Sequence, residues 1–253
     1  LVAIDWNGNE IERVTVNDFS HDFVELSDGT LAFLLFEPQM MDGEEIVGNR
    51  IVERDPSSGA ETEVWSAFDF WTPGVHGDIA SEGGWLGGNA LDINAEESVY
   101  TAGFRAVDGI VDIDRVTGEV LRQVGGPTTT YDFVNGEKPK RQHQFEWIGD
   151  ELLVFDNRES GEDSRVVQYA FDVATGSAEL VWSYRHDPPV WCFSLGDVTR
   201  NDAGSTLVTW SSAGIMDDVT ADGELAWTLS TEFGSAIGFL SRQSSIAGFD
   251  RSL

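Results

Sequence analysis

The chain has 253 residues, 41% hydrophobic and 11% aromatic, which is enough apolar material for one large β-rich core. Its formal net charge of −30 argues against nucleic acid, whose binding rests on Lys and Arg neutralising phosphates, and against anionic membrane surfaces for the same reason. No apolar run approaches the roughly 18 residues of a membrane-spanning helix; the longest, Leu31-Ala32-Phe33-Leu34-Leu35-Phe36, has the length of a strand.

The basic residues are nearly all arginine, with Lys138 and Lys140 the only lysines. Spread-out acid with almost no lysine suits a surface that stays soluble in high salt, where self-repulsion is screened. An ordinary acidic exported protein is the alternative. Cys192 is alone, so an internal disulfide and a Cys-based zinc site are excluded. Between Trp191 and Phe193 it reads as a buried small hydrophobe. The chain opens on Leu rather than Met, consistent with removal of a leader or other N-terminal segment.

In chain order, short alternating or apolar runs are split by Gly, Asp, Asn and Ser turns, and no long helical period occurs. The first signal is the short turn Asp5-Trp6-Asn7-Gly8. Units of four strands follow, at about 20–66, 88–124, 142–184 and 196–229. The first three carry an Asp-x-x-[Ser/Thr]-Gly turn near their ends: Asp55 to Gly59, Asp114 to Gly118, Asp172 to Gly176. Ala221-Asp222-Gly223 is a shorter version. Asp can bond its own turn backbone there, and Gly accepts positive φ. Trp65, Trp182 and Trp227 follow at similar distances.

Four strands per repeat at this period predict an all-β fold, a single β-propeller domain over 1–253. The turn near Gly8 has no inner strands before it, and Ala236-Ile237-Gly238-Phe239-Leu240 has no outer hairpin after it. Pairing a strand within 1–16 with the segment near 236–250 would close the ring and cover its edges, giving five blades. Two long loops, 71–87 and 125–141, should overhang one end of the ring, where long loops tend to be functional.

A ten-residue ruler relates His21 to Leu31, Asn89 to Val99, His143 to Leu153 and Asp197 to Leu207. Four units thus carry a polar group in one equivalent slot, and repeats put equivalent residues at equivalent points in space. The slot strands begin the units, that of the third running 142–148. An imidazole there can act as base, nucleophile or metal ligand, or merely hydrogen-bond neighbouring strands. Alternation turns Asp22 away from His21, against a simple relay between them. Arg105 is an anion clamp or a surface ion pair. His76 reads as a loop or lid residue, and His186 as a loop residue far from the channel. His21, His143 and Asp197 could instead hold a metal, without diagnostic spacing.

With these residues in place, the chain resembles the arylsulfate sulfotransferase family of β-propellers from about residue 20 onward. The resemblance is carried by His21-Asp22 with Leu26-Ser27-Asp28-Gly29-Thr30-Leu31, Asn89-Ala90-Leu91-Asp92 leading to Arg105, and Asp112-Ile113-Asp114 with Thr117-Gly118-Glu119. It continues through Gln142-His143 with Phe155-Asp156-Asn157-Arg158 and Ser164-Arg165-Val166-Val167, and ends at Gly196-Asp197-Val198 with Ser205-Thr206-Leu207-Val208. The resemblance implies sulfuryl transfer between phenols through a sulfurylated histidine, matching His143, with His21, Asn89 and Arg105 holding the sulfate. His76 and Asp197 join them as candidate substrate-binding residues. It also implies six blades, no cofactor, small-molecule aryl sulfate and phenol as partners, and an extracytoplasmic location. One position departs: the family pattern has a histidine two residues before Asn89, and here stands Gly87. A non-catalytic propeller binding a small anionic or aromatic ligand, and a metal-dependent hydrolase or lyase, are the competing expectations.

Overall fold

The computed structural model describes residues 1–5, 7–55, 57–79, 84–231 and 236–238. A hairpin of β1 (Val2–Ile4) and β2 (Glu10–Arg13) comes first. Four sheets then follow in sequence order, their strands adjacent in chain order except for one edge strand of the third. The first holds β3 (Phe19–Glu25), β4 (Leu31–Met41), β5 (Glu44–Arg54) and β6 (Glu61–Ser66). A one-turn helix, α1 (Ala67–Phe70), is capped by the Ser66 hydroxyl accepting from the Phe68 amide. The second sheet holds β7 (Gly88–Ile93), β8 (Val99–Phe104), β9 (Gly109–Asp114) and β10 (Val120–Gly125). Next come the two-residue β11 (Asp132–Phe133), β12 (Phe145–Ile148), β13 (Glu151–Asp156), β14 (Arg165–Asp172) and β15 (Ser177–Tyr184). The last sheet holds β16 (Asp197–Arg200), β17 (Thr206–Trp210), β18 (Ile215–Val219) and β19 (Leu225–Ser230).

Every pairing within these sheets is antiparallel except β11, which lies parallel to β15. The fold is therefore the all-β architecture of propeller blades, one per sequence unit, four-stranded except for the third, to which β11 adds a fifth strand at the edge. The expected closing pair involves 236–250, and residues 239–250 lie outside the described ones.

The repeated turns form for the reason their sequence suggests. Asp114 Oδ1 accepts from the amides of Val116 (2.9 Å) and Thr117 (2.8 Å). Asp55 does the same for Ser57 and Ser58, and Asp172 for Ala174 and Thr175. These bonds favour the charged carboxylate and hold all three groups below the usual range, Asp55 at about 2.

The core lies between consecutive sheets. In β13 the alternation splits one buried run between two neighbours: Leu152 and Val154 pack toward the second sheet with Ala90 and Ile110, while Leu153 and Phe155 pack toward the fourth with Val208 and Trp210. Both faces of the central strands are buried, which fixes the register, since a one-residue slip would exchange the two sets. Cys192 joins the latter cluster fully buried, as its flanking aromatics suggested, and burial raises its thiol pKa.

Candidate functional site

The innermost strands β3, β7 and β16 carry His21, Asn89 and Asp197, while His143 stands two residues ahead of β12. The strand expected over 142–148 is therefore shorter, Phe145–Ile148, and side-chain bonds to the second sheet join the backbone bonds at its head. Gln142, fully buried, donates to the carbonyls of Gly109 (2.8 Å) and Phe104 (3.3 Å) in the second sheet. Asn89 Nδ2 donates to the Gln142 carbonyl at 2.8 Å. Arg141, with φ 51°, donates its amide to Asp108 at 2.7 Å. Two backbone bonds continue the ladder past Phe145, from Phe155 N–H to Gln144 O at 2.9 Å and from His143 N–H to Phe155 O at 3.2 Å. The second blade thus grips the backbone on which His143 sits.

His143 is 3% exposed. Its Nδ1 lies 2.7 Å from Asn157 Oδ1, and its Nε2 accepts the Leu195 amide at 3.0 Å. Asn157 Nδ2 donates to the carbonyls of Cys192 (2.9 Å) and Leu195 (2.7 Å), so its oxygen faces the imidazole. Burial, offset in part by the bond to Asn157 and reinforced by Arg105 and His21, brings the His143 pKa down to about 4. The ring is accordingly neutral at pH 7, protonated on Nδ1, with its Nε2 lone pair directed at the Leu195 amide.

His21 is exposed; its surroundings lower its pKa, Asp22 opposes that shift, and Arg105 adds to it. Arg105 opens a 3₁₀ turn (Arg105–Val107) after β8, its amide bonded to Gly87 O at 3.0 Å and its Nη2 reaching Phe193 O at 3.4 Å. The structure thus brings His21, Asn89, Arg105 and His143 to one place. Asn89 Oδ1 is buried and makes no hydrogen bond among the described residues.

Asp22 turns away from His21, as alternation required, and accepts from the Leu91 amide (3.0 Å) and Gln144 Nε2 (3.1 Å), tying three blades together beneath the site. Asp197 opens β16, two residues beyond Leu195. His76 sits in its own loop, where Nδ1 accepts the Thr72 amide at 2.9 Å and its carbonyl accepts Trp85 Nε1. His186 is buried against Asp217 Oδ2 at 2.8 Å, and Trp210 and Tyr184 donate to the same oxygen. Among the described residues no three His, Cys, Asp or Glu side chains are grouped to hold a metal ion.

Two participants escaped the sequence reading. Asn157 stands in a motif quoted above, and its distance from His143 across the β12–β13 hairpin was a usable signal. The Leu195 amide is backbone, and no side-chain pattern announces it.

These features define a propeller whose inner strands assemble a histidine-centred polar site. The family model for arylsulfotransferase (ASST) matches residues 1–233, and the chain belongs to that family. None of the curated proteins matches it. Among solved structures, a Bacteroides caccae protein of unknown function is similar at TM-score 0.56 and 13% identity, covering 93% of this chain and 77% of that one. A virginiamycin B lyase from Staphylococcus aureus is similar at TM-score 0.50 and 10% identity, over 87% of this chain and 58% of the lyase. The Cps50 (Swd1) β-propeller domain of Myceliophteria thermophila gives TM-score 0.49 and 15% identity, over 83% and 59%. The chain therefore spans less than two thirds of the lyase and of the Swd1 domain, and the likeness concerns the fold. No described helix is long and apolar enough to cross a membrane.

Proposed function

We propose that the chain transfers a sulfuryl group from an aryl sulfate to a phenolic acceptor, with His143 as the covalent nucleophile. The observation that carries this reading is the buried, neutral imidazole of His143, whose pKa the charges of Arg105 and His21 help to lower, in a chain of the arylsulfotransferase family. Nε2 attacks sulfur, the N–S bond forms, and the S–O bond to the aryl group breaks with its electron pair leaving on the phenolate. The proton on Nδ1 stays, so the sulfurylated ring carries positive charge that Asn157 Oδ1 stabilises. A second phenol, its proton lost to water, then attacks sulfur as the phenolate, and the N–S bond breaks with its electron pair returning to Nε2, which restores the neutral ring and gives ping-pong kinetics. Arg105 supplies the permanent positive charge for the sulfuryl oxygens. Trp191 and Phe193, 42% and 57% exposed on the segment that reaches Arg105, offer faces for the aryl ring. The net charge of −30 and two lysines support a saline setting, and the family membership supports an extracytoplasmic one.

Incubation with 4-nitrophenyl sulfate and no acceptor should add one sulfuryl mass, mapped to the peptide holding His143. His143→Ala should lose adduct and turnover, and Arg105→Lys should lower turnover without unfolding the protein. Wild-type exchange by His143→Ala refutes the mechanism. A second reading, a non-catalytic site for a small anionic or aromatic ligand, is favoured by one observation: the Leu195 amide already occupies Nε2. Binding of the aryl sulfate with no adduct and no turnover would select it.

A further inference from the structure

We infer that Asn157 is a positioning residue for the transfer: its carboxamide selects which nitrogen of His143 carries the proton and latches residues 191–195 across the other nitrogen. The inference rests on His143 as the nucleophile, assigned above.

Asn157 follows β13 and is 1% exposed. Each hydrogen of its Nδ2 has a carbonyl to bond, Cys192 O at 2.9 Å and Leu195 O at 2.7 Å. With the amide so oriented, Oδ1 can only accept, and the atom it meets at 2.7 Å is His143 Nδ1. Nδ1 must therefore bear the proton. The other side of the ring gives the same answer independently, since a backbone N–H, which can only donate, lies 3.0 Å from Nε2.

The same carboxamide holds the segment that supplies this N–H. Its two carbonyl bonds are joined by a third tie, in which Ser164 Oγ donates to Asn157 O at 2.8 Å and accepts the Cys192 amide at 2.8 Å. Leu195 has φ 58°, a left-handed conformation that costs a branched side chain energy and persists only where its surroundings impose it. A lone pair that accepts an N–H cannot also bond to sulfur. The Leu195 amide must therefore leave Nε2 before attack. Asn157 thus sets both the reactive tautomer and the resistance of its cover.

The ring nitrogens of His143 in the full-length chain, labelled with 15N and assigned by their loss in His143→Gln, decide the first half. At pH 7 the wild type should show a protonated Nδ1 and an unprotonated Nε2; a protonated Nε2 overturns the inference. Asn157→Asp keeps size, puts a carboxylate against Nδ1 and removes both donors to the segment. It should raise the His143 titration midpoint by at least one pH unit and speed hydrogen exchange of the Leu195 amide at least tenfold. If neither changes, the inference is wrong; if the variant does not fold, the wild-type ring spectrum still decides. None of these readouts needs turnover, so an expected spectrum with no labelling by an aryl sulfate would sink the transferase reading and leave the ring assignment standing.

Discussion

Burying a neutral histidine makes stability depend on pH in a defined window, and His143 allows the size to be worked out. Its folded pKa is about 4 against 6.5 for an open imidazole, chiefly because burial disfavours the charged form. As pH falls from 6.5 toward 4 the unfolded chain takes up the proton while the folded chain does not, so stability drops over that window. Below 4 both states are protonated and the loss is complete. A displacement of this size corresponds to about 3 kcal/mol lost between pH 7 and pH 4. Carboxylates titrate nearby, so the histidine contribution is isolated by comparing wild type with His143→Gln, which has no titrating ring. Urea unfolding at pH 7, 6, 5 and 4, in constant molar salt, should give a wild-type curve steeper by about 3 kcal/mol over the range. Parallel curves would refute the buried-neutral assignment, and a smaller drop centred near pH 6 would mean that the ring is solvated.

Asp156 and Arg165 form a buried pair at 2.7 Å, and Asp156 also accepts the Lys140 amide. Asp156→Ala should cost about 3–5 kcal/mol in denaturant unfolding, because Arg165 is left buried and unpaired; a cost under 1 kcal/mol sinks this account. Gly196, at φ 122°, lies so close to Phe155 that a Cβ would stand 2.2 Å from its ring. Gly196→Ala should therefore lose about 2 kcal/mol or more, read as a lowered Tm. Thermal midpoints should rise with sodium chloride, as screening shortens repulsion among the 45 acidic groups. In the same titration kcat/KM for 4-nitrophenyl sulfate should rise; flat or falling profiles would reject the saline reading.

The blades were legible because each Asp-x-x-[Ser/Thr]-Gly turn states its own hydrogen bonds, and a repeated turn fixes a repeated sheet. The slots were legible for the same reason, as equal spacing from a buried central strand puts His21, Asn89 and His143 at one end. What stayed hidden was local backbone that no pattern carries. A two-residue strand such as β11 has no periodicity; backbone bonds from Asp132 to Gly176 and from Val134 to Ala178 hold it, and Asn135 adds a side-chain bond from the Leu180 amide at 2.7 Å in a segment that reads as loop. The head of the third slot strand is set by the Gln142 side chain bonding a neighbouring blade, so its length could not follow from alternation alone. His186 read as a loop residue, yet Asp217, thirty-one positions onward, draws it into a buried cluster.

Gly87 explains why the charge of the surrounding surface bears on the site. Its φ is 62°, and its carbonyl is bonded to the Arg105 amide, so this glycine shapes the turn that presents the guanidinium. An added Cβ would meet Ala106 N at 3.4 Å and Arg105 Cβ at 3.9 Å, which is ordinary contact. The strain of a histidine there would come from the left-handed backbone rather than from lack of space. With glycine in place, and with the pKa values of His21 and His143 both lowered, Arg105 is the permanent positive charge among the four assembled side chains. In the proposed reaction an aryl sulfate would have to reach that one guanidinium through the field of a molecule carrying −30. At low ionic strength the field extends about 30 Å and repels the anion; in molar salt it shrinks to about 3 Å. Salt thus removes the long-range repulsion while the short-range attraction to Arg105 survives, so the composition that keeps the surface soluble in molar salt opposes substrate approach only in dilute buffer.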